Sequence, residues 1–345
     1  MRYITISHTS LDNVTSKYDH NPDVRSVANV FPFQVTPYYA GLIRSIGDPI
    51  WKQCIPDERE LCDSGLQADP LSETSLSPVP GLIHRYPDRV VLLVSNRCPV
   101  YCRFCMRKRH VGEGDAPLRR ESLDRALAYI AENRAIRDVI LSGGDPLMLD
   151  DESLDHVLCR LRAIPHVSIV RIGTRAPVTL PERVTPGLCD MLKRYHPLYI
   201  NTHFNHPAEI TPASAAACGL LADAGIALGN QTVLLAGVND SLATMRELMS
   251  GLLSLRVRPY YIHQMDLVRG TGHFRTSVSV GLDIIRGLRG HLSGLAVPHY
   301  VIDLPEGKGK VPILPDNLER EGDLLHLRTY LGERVAYRDI TTPRE

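Results

Sequence analysis

Seven short runs of apolar, largely β-branched residues recur at intervals of roughly thirty residues and constrain the fold more than any other feature. They are Val90–Val94, Val139–Leu141, Val167–Ile172, Leu198–Ile200, Thr232–Leu235, Tyr260–Ile262 and Tyr300–Ile302. Most are separated by stretches of helical periodicity. Glu121 to Asn133 puts Leu123, Leu127 and Ile130 on one face. In Thr211 to Ala224, Thr211 can cap, Pro212 suits the first turn and Gly225 suits the stop. Asp240 to Leu255 and Val280 to Leu292 repeat the pattern. Strand-then-helix repetition means an α/β fold with a parallel sheet under helical cover. Six or seven such units fit a closed or partly closed (β/α) barrel better than an open doubly wound sheet.

The first eighty residues break the rhythm. Pro32, Pro37, Pro56, Pro70, Pro78 and Pro80 punctuate them, with room for a short helix from Pro37 onward. The expected organisation is therefore an irregular N-terminal arm over residues 1–80, a barrel over 81–317 and a short C-terminal tail over 318–345.

Chemically loaded residues follow directly on the strand runs: Cys98, Ser142-Gly143-Gly144-Asp145, Thr174, His203, Asp266 and Asp303. In barrels the site lies at the carboxyl ends of the strands, so these residues belong to one composite site. The sharpest segment is Cys98-Pro-Val-Tyr-Cys102-Arg-Phe-Cys105. Full ligation of an iron–sulfur cluster takes four thiolates, so three close cysteines leave one iron open to another ligand. A structural zinc site is the competing reading, but zinc prefers four closed ligands and no second cysteine pair stands near. A three-cysteine loop leaving a strand resembles the radical S-adenosylmethionine enzymes, in which the open iron takes the cofactor's amino and carboxylate groups. Taken alone, Ser142-Gly143-Gly144-Asp145-Pro146 reads as a tight turn before a helix. Placed after such a loop, it resembles the glycine-rich segment that holds the methionyl amino group.

Asp303-Leu-Pro-Glu-Gly307-Lys308-Gly309-Lys310-Val-Pro312 carries two lysines on a glycine-rich loop. Such lysines are usually solvated, but one can also condense with the aldehyde of pyridoxal 5′-phosphate. Further segments are Pro78 to Arg89, Cys98 to Arg109, Asn201-Thr-His-Phe-Asn-His-Pro207, Leu228-Gly-Asn-Gln231, Arg258-Pro-Tyr-Tyr261 and His273-Phe-Arg-Thr276. Together with the Asp303 to Pro312 stretch they resemble the lysine 2,3-aminomutase family over about residues 34 to 317.

The resemblance implies a partial (β/α)6-type TIM barrel of the radical S-adenosylmethionine kind. It implies that Cys98, Cys102 and Cys105 hold a 4Fe-4S cluster and that Ser142, Gly143, Gly144, Asp145, His203 and Gln231 line S-adenosylmethionine. Lys310 would anchor pyridoxal phosphate, favoured over Lys308 by Pro312 following Val311, with Arg85, Tyr86 and Arg89 near the cofactor. Arg107 would clamp the α-carboxylate of an amino-acid substrate, and Asp266 and Asp303 would receive a distal positive charge. In the implied reaction, a 5′-deoxyadenosyl radical takes hydrogen from the substrate β-carbon and the amino group migrates from C2 to C3. L-Lysine is the expected substrate, with arginine, glutamate or a lysine used to modify elongation factor P as alternatives. An iron–sulfur carrier without catalysis is the non-enzyme alternative. A flavodoxin- or ferredoxin-type electron donor is also implied. Family members carry C-terminal cysteines that bind zinc at a subunit contact. No cysteine follows Cys218 here, so structural zinc is not expected and a homo-oligomer is left open.

Composition removes other classes. Lys+Arg and Asp+Glu both number 39, so no global field draws in nucleic acid or a membrane. Apolar runs are far short of a bilayer span, and the N-terminus lacks a signal-peptide pattern. Cys54, Cys62, Cys159, Cys189 and Cys218 are scattered, which points to a reducing compartment, the cytosol.

Overall fold

Each apolar run becomes a strand, and the strands line up in chain order. The computed structural model describes residues 1–5, 7–16, 24–62, 65–112, 119–322 and 324–339. One sheet holds β1 (Leu82–Tyr86), β2 (Arg89–Ser95), β3 (Asp138–Gly143), β4 (Ile169–Gly173), β5 (Leu198–Thr202), β6 (Ala227–Leu234), β7 (Val257–Gln264), β8 (His299–Leu304) and β9 (Gly309–Pro312). Strands β2 through β8 pair in parallel, each with the next. The sheet is bounded by β1 antiparallel to β2 and by β9 antiparallel to β8. The order runs from β1 to β9 without returning on itself, so the barrel is partial. Among the described residues, the longer helices linking the seven parallel strands are Arg120–Glu132, Asp151–Arg162, Pro186–Leu192, Pro212–Asp223, Leu242–Ser254 and Val278–Leu288.

The physical reason is alternation on the strands meeting periodicity on the helices. Val90, Leu92, Val94, Val139, Leu141, Val170 and Ile172 are buried on one side of the sheet. Leu123, Ala126, Leu127 and Ile130 form the buried stripe of the first linking helix, and all these residues share one core cluster. Fully burying each large side chain contributes roughly 1.5–3 kcal/mol. Thr211 caps its helix as read from the sequence, accepting from Ser214 N at 3.1 Å with Pro212 in the first turn.

Regions outside the repeats are more structured than an arm and a tail suggest. The arm carries helices Leu11–Ser16, Val24–Val30, Pro37–Ala40 and Pro49–Cys54. Its Val35, Tyr39, Ile50, Trp51 and Ile55 sit in the same core as the barrel strands. The expected tail contains a separate antiparallel sheet of β10 (Leu318–Glu321), β11 (Leu324–Arg328) and β12 (Arg334–Arg338). Residues 340–345 of that tail lie outside the described residues. Among the described residues no helix is long and apolar enough to cross a membrane.

Candidate active site

The loop leaving β2 carries the three thiols, and the N-terminal arm holds its backbone. Tyr101 N donates to Gln34 O and Arg103 N to Gln53 O, both at 2.9 Å. The Gln34 amide donates to the carbonyl of Cys98. Between the cysteines, Arg103 extends into the arm and is 1% exposed. It donates to Glu60 at 2.6 and 2.9 Å and to the carbonyls of Pro32 and Phe31. Lys108 Nζ reaches the same Glu60 at 2.6 Å. Burial would raise the Glu60 carboxyl, but Arg103 and Lys108 hold it below its usual value. Removing one partner from a buried ionic network leaves charge uncompensated, at a cost of about 3–5 kcal/mol. Glu60→Gln should therefore lose that much stability in urea titration; a loss under about 1 kcal/mol would show that the network is superfluous.

Burial and the neighbouring thiols push Cys98 well above the usual thiol range, and burial pushes Cys105 up to about 11. Arg175, itself buried, places Nη1 2.8 Å from Cys102 Sγ. Three half-buried thiols on one loop, two of them held protonated by their surroundings, fit a cationic iron core, which deprotonates a coordinating thiol outright. A set of three donors fits a cluster with one open iron.

The paired glycines at the end of β3 serve the protein backbone first. A Cβ on Gly143 (φ +124°) would strike the carbonyl oxygen of Ser95, and one on Gly144 would strike that of Arg97. Gly144 N and Asp145 N donate to those same carbonyls at 2.6 and 2.7 Å. Only glycines let this turn press against the root of the cysteine loop. Asp145 turns inward, accepting from Thr174 Oγ1 at 2.6 Å, Arg175 N at 2.7 Å and Leu147 N at 3.0 Å. Its carboxylate therefore ties β3 to the loop after β4, and its part in a cofactor cradle is to fix the turn. Across the sheet, burial pushes His203 down to about 3 against its bond with Gln231, so the imidazole is neutral.

Arg107, beside Ser142, is held by a residue the motifs do not include. Its Nε and Nη2 donate to Glu73 at 3.0 and 2.7 Å, and Nη1 donates to Ser142 Oγ at 3.2 Å. Of the five guanidinium N–H donors these contacts use three. One remains on each terminal nitrogen, the fork a substrate carboxylate can take.

At the far end of the sheet, β8 and β9 set Asp303 directly opposite Lys310. Lys310 Nζ contacts the Asp303 carboxylate, which also meets Arg85 Nη1 at 3.3 Å and His263 Nδ1 at 3.4 Å. Burial alone would raise Asp303, but His263 and Lys310 hold it well below the carboxylate range. Tyr86 Oη accepts from Lys310 N at 2.8 Å, and the Arg89 guanidinium lies 4.3 Å over the Tyr86 ring. Arg85 Nε and His263 Nε2 are buried without a partner. An amine flanked by an aromatic phenol, two arginines and orphaned polar nitrogens fits a phosphorylated aldehyde cofactor. Asp266 completes this end, pushed up to about 7 by burial and the Asp303 charge. Lys308 is exposed and paired with Glu306 at 2.8 Å.

Sequence reading missed Glu73, Arg175 and His263. Glu73 and Arg175 carry no local signal pointing to their partners. His263 had one: it lies two residues after Tyr261, hence on the same face of β7 as that motif residue.

The partial barrel and its three-thiol loop define a radical S-adenosylmethionine protein, and residues 92–249 match the Radical SAM superfamily. Residues 285–342 match the family described as Lysine-2,3-aminomutase. An L-lysine 2,3-aminomutase of Fusobacterium nucleatum is 55% identical over 88% of this chain and 72% of its own length. That of Clostridium subterminale is 52% identical over 88% and 74%. A glutamate 2,3-aminomutase of Clostridioides difficile is 46% identical over 92% and 76%. The chain belongs to the lysine 2,3-aminomutase family.

Proposed function

We infer that the protein is an isomerase that moves the amino group of L-lysine from C2 to C3, giving β-lysine. The observation that carries the substrate is Asp266, a carboxyl lifted to about 7 by burial and by Asp303. Two acids at one end of a site favour a cation there, and a substrate carboxylate would worsen their repulsion. Lys310 supplies one cation beside these two acids, and the ε-ammonium of lysine supplies the second.

The bound 4Fe-4S cluster, S-adenosylmethionine and pyridoxal phosphate supply hydrogen abstraction and a carrier for the migrating nitrogen. Cys98, Cys102 and Cys105 would hold the cluster. Ser142, Gly143, Gly144, His203 and Gln231 would line S-adenosylmethionine, with Asp145 bracing the turn. Lys310 would anchor the pyridoxal group, with Arg85, Tyr86 and Arg89 around it. The free fork of Arg107 takes the α-carboxylate, and Glu73 fixes the guanidinium so that lysine is gripped at both ends. Such a grip orients C2 and C3 and leaves little room for water, which a reactive radical requires. A cytosolic flavodoxin- or ferredoxin-type protein would donate the electron.

The test is anaerobic turnover with reductant and S-adenosylmethionine on L-lysine, L-glutamate and L-norleucine. Lysine should be the best substrate. Norleucine, which lacks the ε-ammonium, should be slower by roughly 10⁴-fold, the scale at which buried polar groups left unpaired discriminate. Glutamate turning over faster than lysine would refute the charge argument.

A further inference from the structure

We propose that His263 is a further catalytic residue, relaying protons between the substrate nitrogen and Lys310 Nζ as the two amines exchange on the cofactor. The proposal rests on the reading of Lys310 as the pyridoxal-phosphate lysine. Three features of the site carry it. His263 Nδ1 stands 3.2 Å from Lys310 Nζ, within reach for direct transfer. The same Nδ1 stands 3.4 Å from the Asp303 carboxylate, which therefore faces the proton on either side of the transfer. The other ring nitrogen, Nε2, is buried without a partner. A histidine that served only to brace Lys310 would have its second nitrogen tied to the protein, as orienting histidines commonly do.

The exchange needs such a group. The α-amino group arrives as an ammonium and must lose one proton before its lone pair can bond carbon. Lys310 Nζ, released as the carbon–nitrogen bond to the substrate forms, must take up protons to leave as an ammonium. In the relay, Nε2 accepts the proton from the substrate ammonium while Nδ1 donates its own to Lys310 Nζ. Over the whole exchange the substrate nitrogen, an ammonium that becomes a protonated nitrogen doubly bonded to carbon, gives up two protons, and Lys310 Nζ, making the reverse change, takes up two. One C=N bond forms as one breaks, His263 passes the protons one at a time, and no electron enters or leaves. Return of Lys310 after the migration runs the same path backward. Asp303, which contacts Lys310 Nζ, stabilises the resulting ammonium.

The surroundings keep the imidazole suited to the task. Burial and the Lys310 charge lower its basicity, so it is neutral near pH 7 and can both accept and donate. Lys310 and Asp303 face it from β9 and β8, and neutral His203 lies near it from the end of β5. Arg85 and Asp266 stand around the same pair.

The experiment follows the cofactor's absorbance after rapid anaerobic mixing of the pyridoxal-phosphate-loaded protein with L-lysine, without reductant, so that only amine exchange occurs. His263→Asn keeps an acceptor near the position of Nδ1 but cannot carry a proton; His263→Ala removes the group. Both should load cofactor and fix it on Lys310 with borohydride, yet exchange roughly 10²–10⁴-fold more slowly, the range for a positioned proton-transfer group. Added imidazole should restore His263→Ala by about tenfold or more, which a bracing role does not predict. Wild-type exchange in His263→Asn overturns the proposal. Loss of cofactor from both variants also overturns it, since His263 would then hold the lysine rather than serve it. A borohydride label on a residue other than Lys310 would instead refute the underlying reading of the anchor.

Discussion

Cys98→Ala, Cys102→Ala and Cys105→Ala are each expected to abolish iron–sulfur assembly and turnover, whereas Cys159→Ala should leave both intact. The three thiols lie on one loop that the arm and the glycine turn hold in place. Burial first, and then the neighbouring thiols, disfavour ionisation of Cys98 and Cys105. A cluster already one thiolate short of full ligation cannot spare another. Cys159 is exposed on the helix Asp151–Arg162, which carries none of the site residues. Iron and sulfide content after anaerobic reconstitution, with the cluster's visible absorbance, provides the measurement. A Cys102→Ala protein that retains its iron would remove the cluster from this loop.

Borohydride reduction of the loaded protein is expected to fix the pyridoxal group on the peptide containing Lys310, with Lys308 unlabelled. The hairpin formed by β8 and β9 decides between the two lysines. Lys310 lies opposite Asp303, beside His263, and its own backbone N–H is held by Tyr86. Lys308 lies at the turn, in a solvent-exposed pair with Glu306, a kind of contact worth about 0–1 kcal/mol. Lys310→Ala should accordingly lower turnover on the order of 10³-fold or more, as removal of a covalent participant does, while Lys308→Ala should stay within about twofold. Mass spectrometry of the labelled peptide separates the outcomes, and label on Lys308 would show the loop misassigned.

Much of this molecule could be read before folding. The seven strand runs each became a parallel strand, and the helices between them began and ended near their caps. The three-cysteine loop, the glycine turn and the lysine hairpin all lie at strand ends, as the residues alone indicated. The paired glycines were legible as a place of close approach. What approaches them is the chain's own Ser95 and Arg97, a distinction a motif does not contain.

The sequence by itself determined the barrel, the thiol loop and the family, because each depends on spacing along the chain: period two on strands, 3.6 on helices, and three or four residues between thiols. Tertiary structure alone decided which charges meet. Glu73 grips Arg107 across 34 positions, Lys310 meets His263 across 47, and Arg175 reaches Cys102 across 73. Such contacts join side chains whose directions are set by which strands become neighbours and in what register. A buried carboxylate or guanidinium must find an opposite charge wherever the packed elements bring one, since leaving it unpaired costs several kcal/mol.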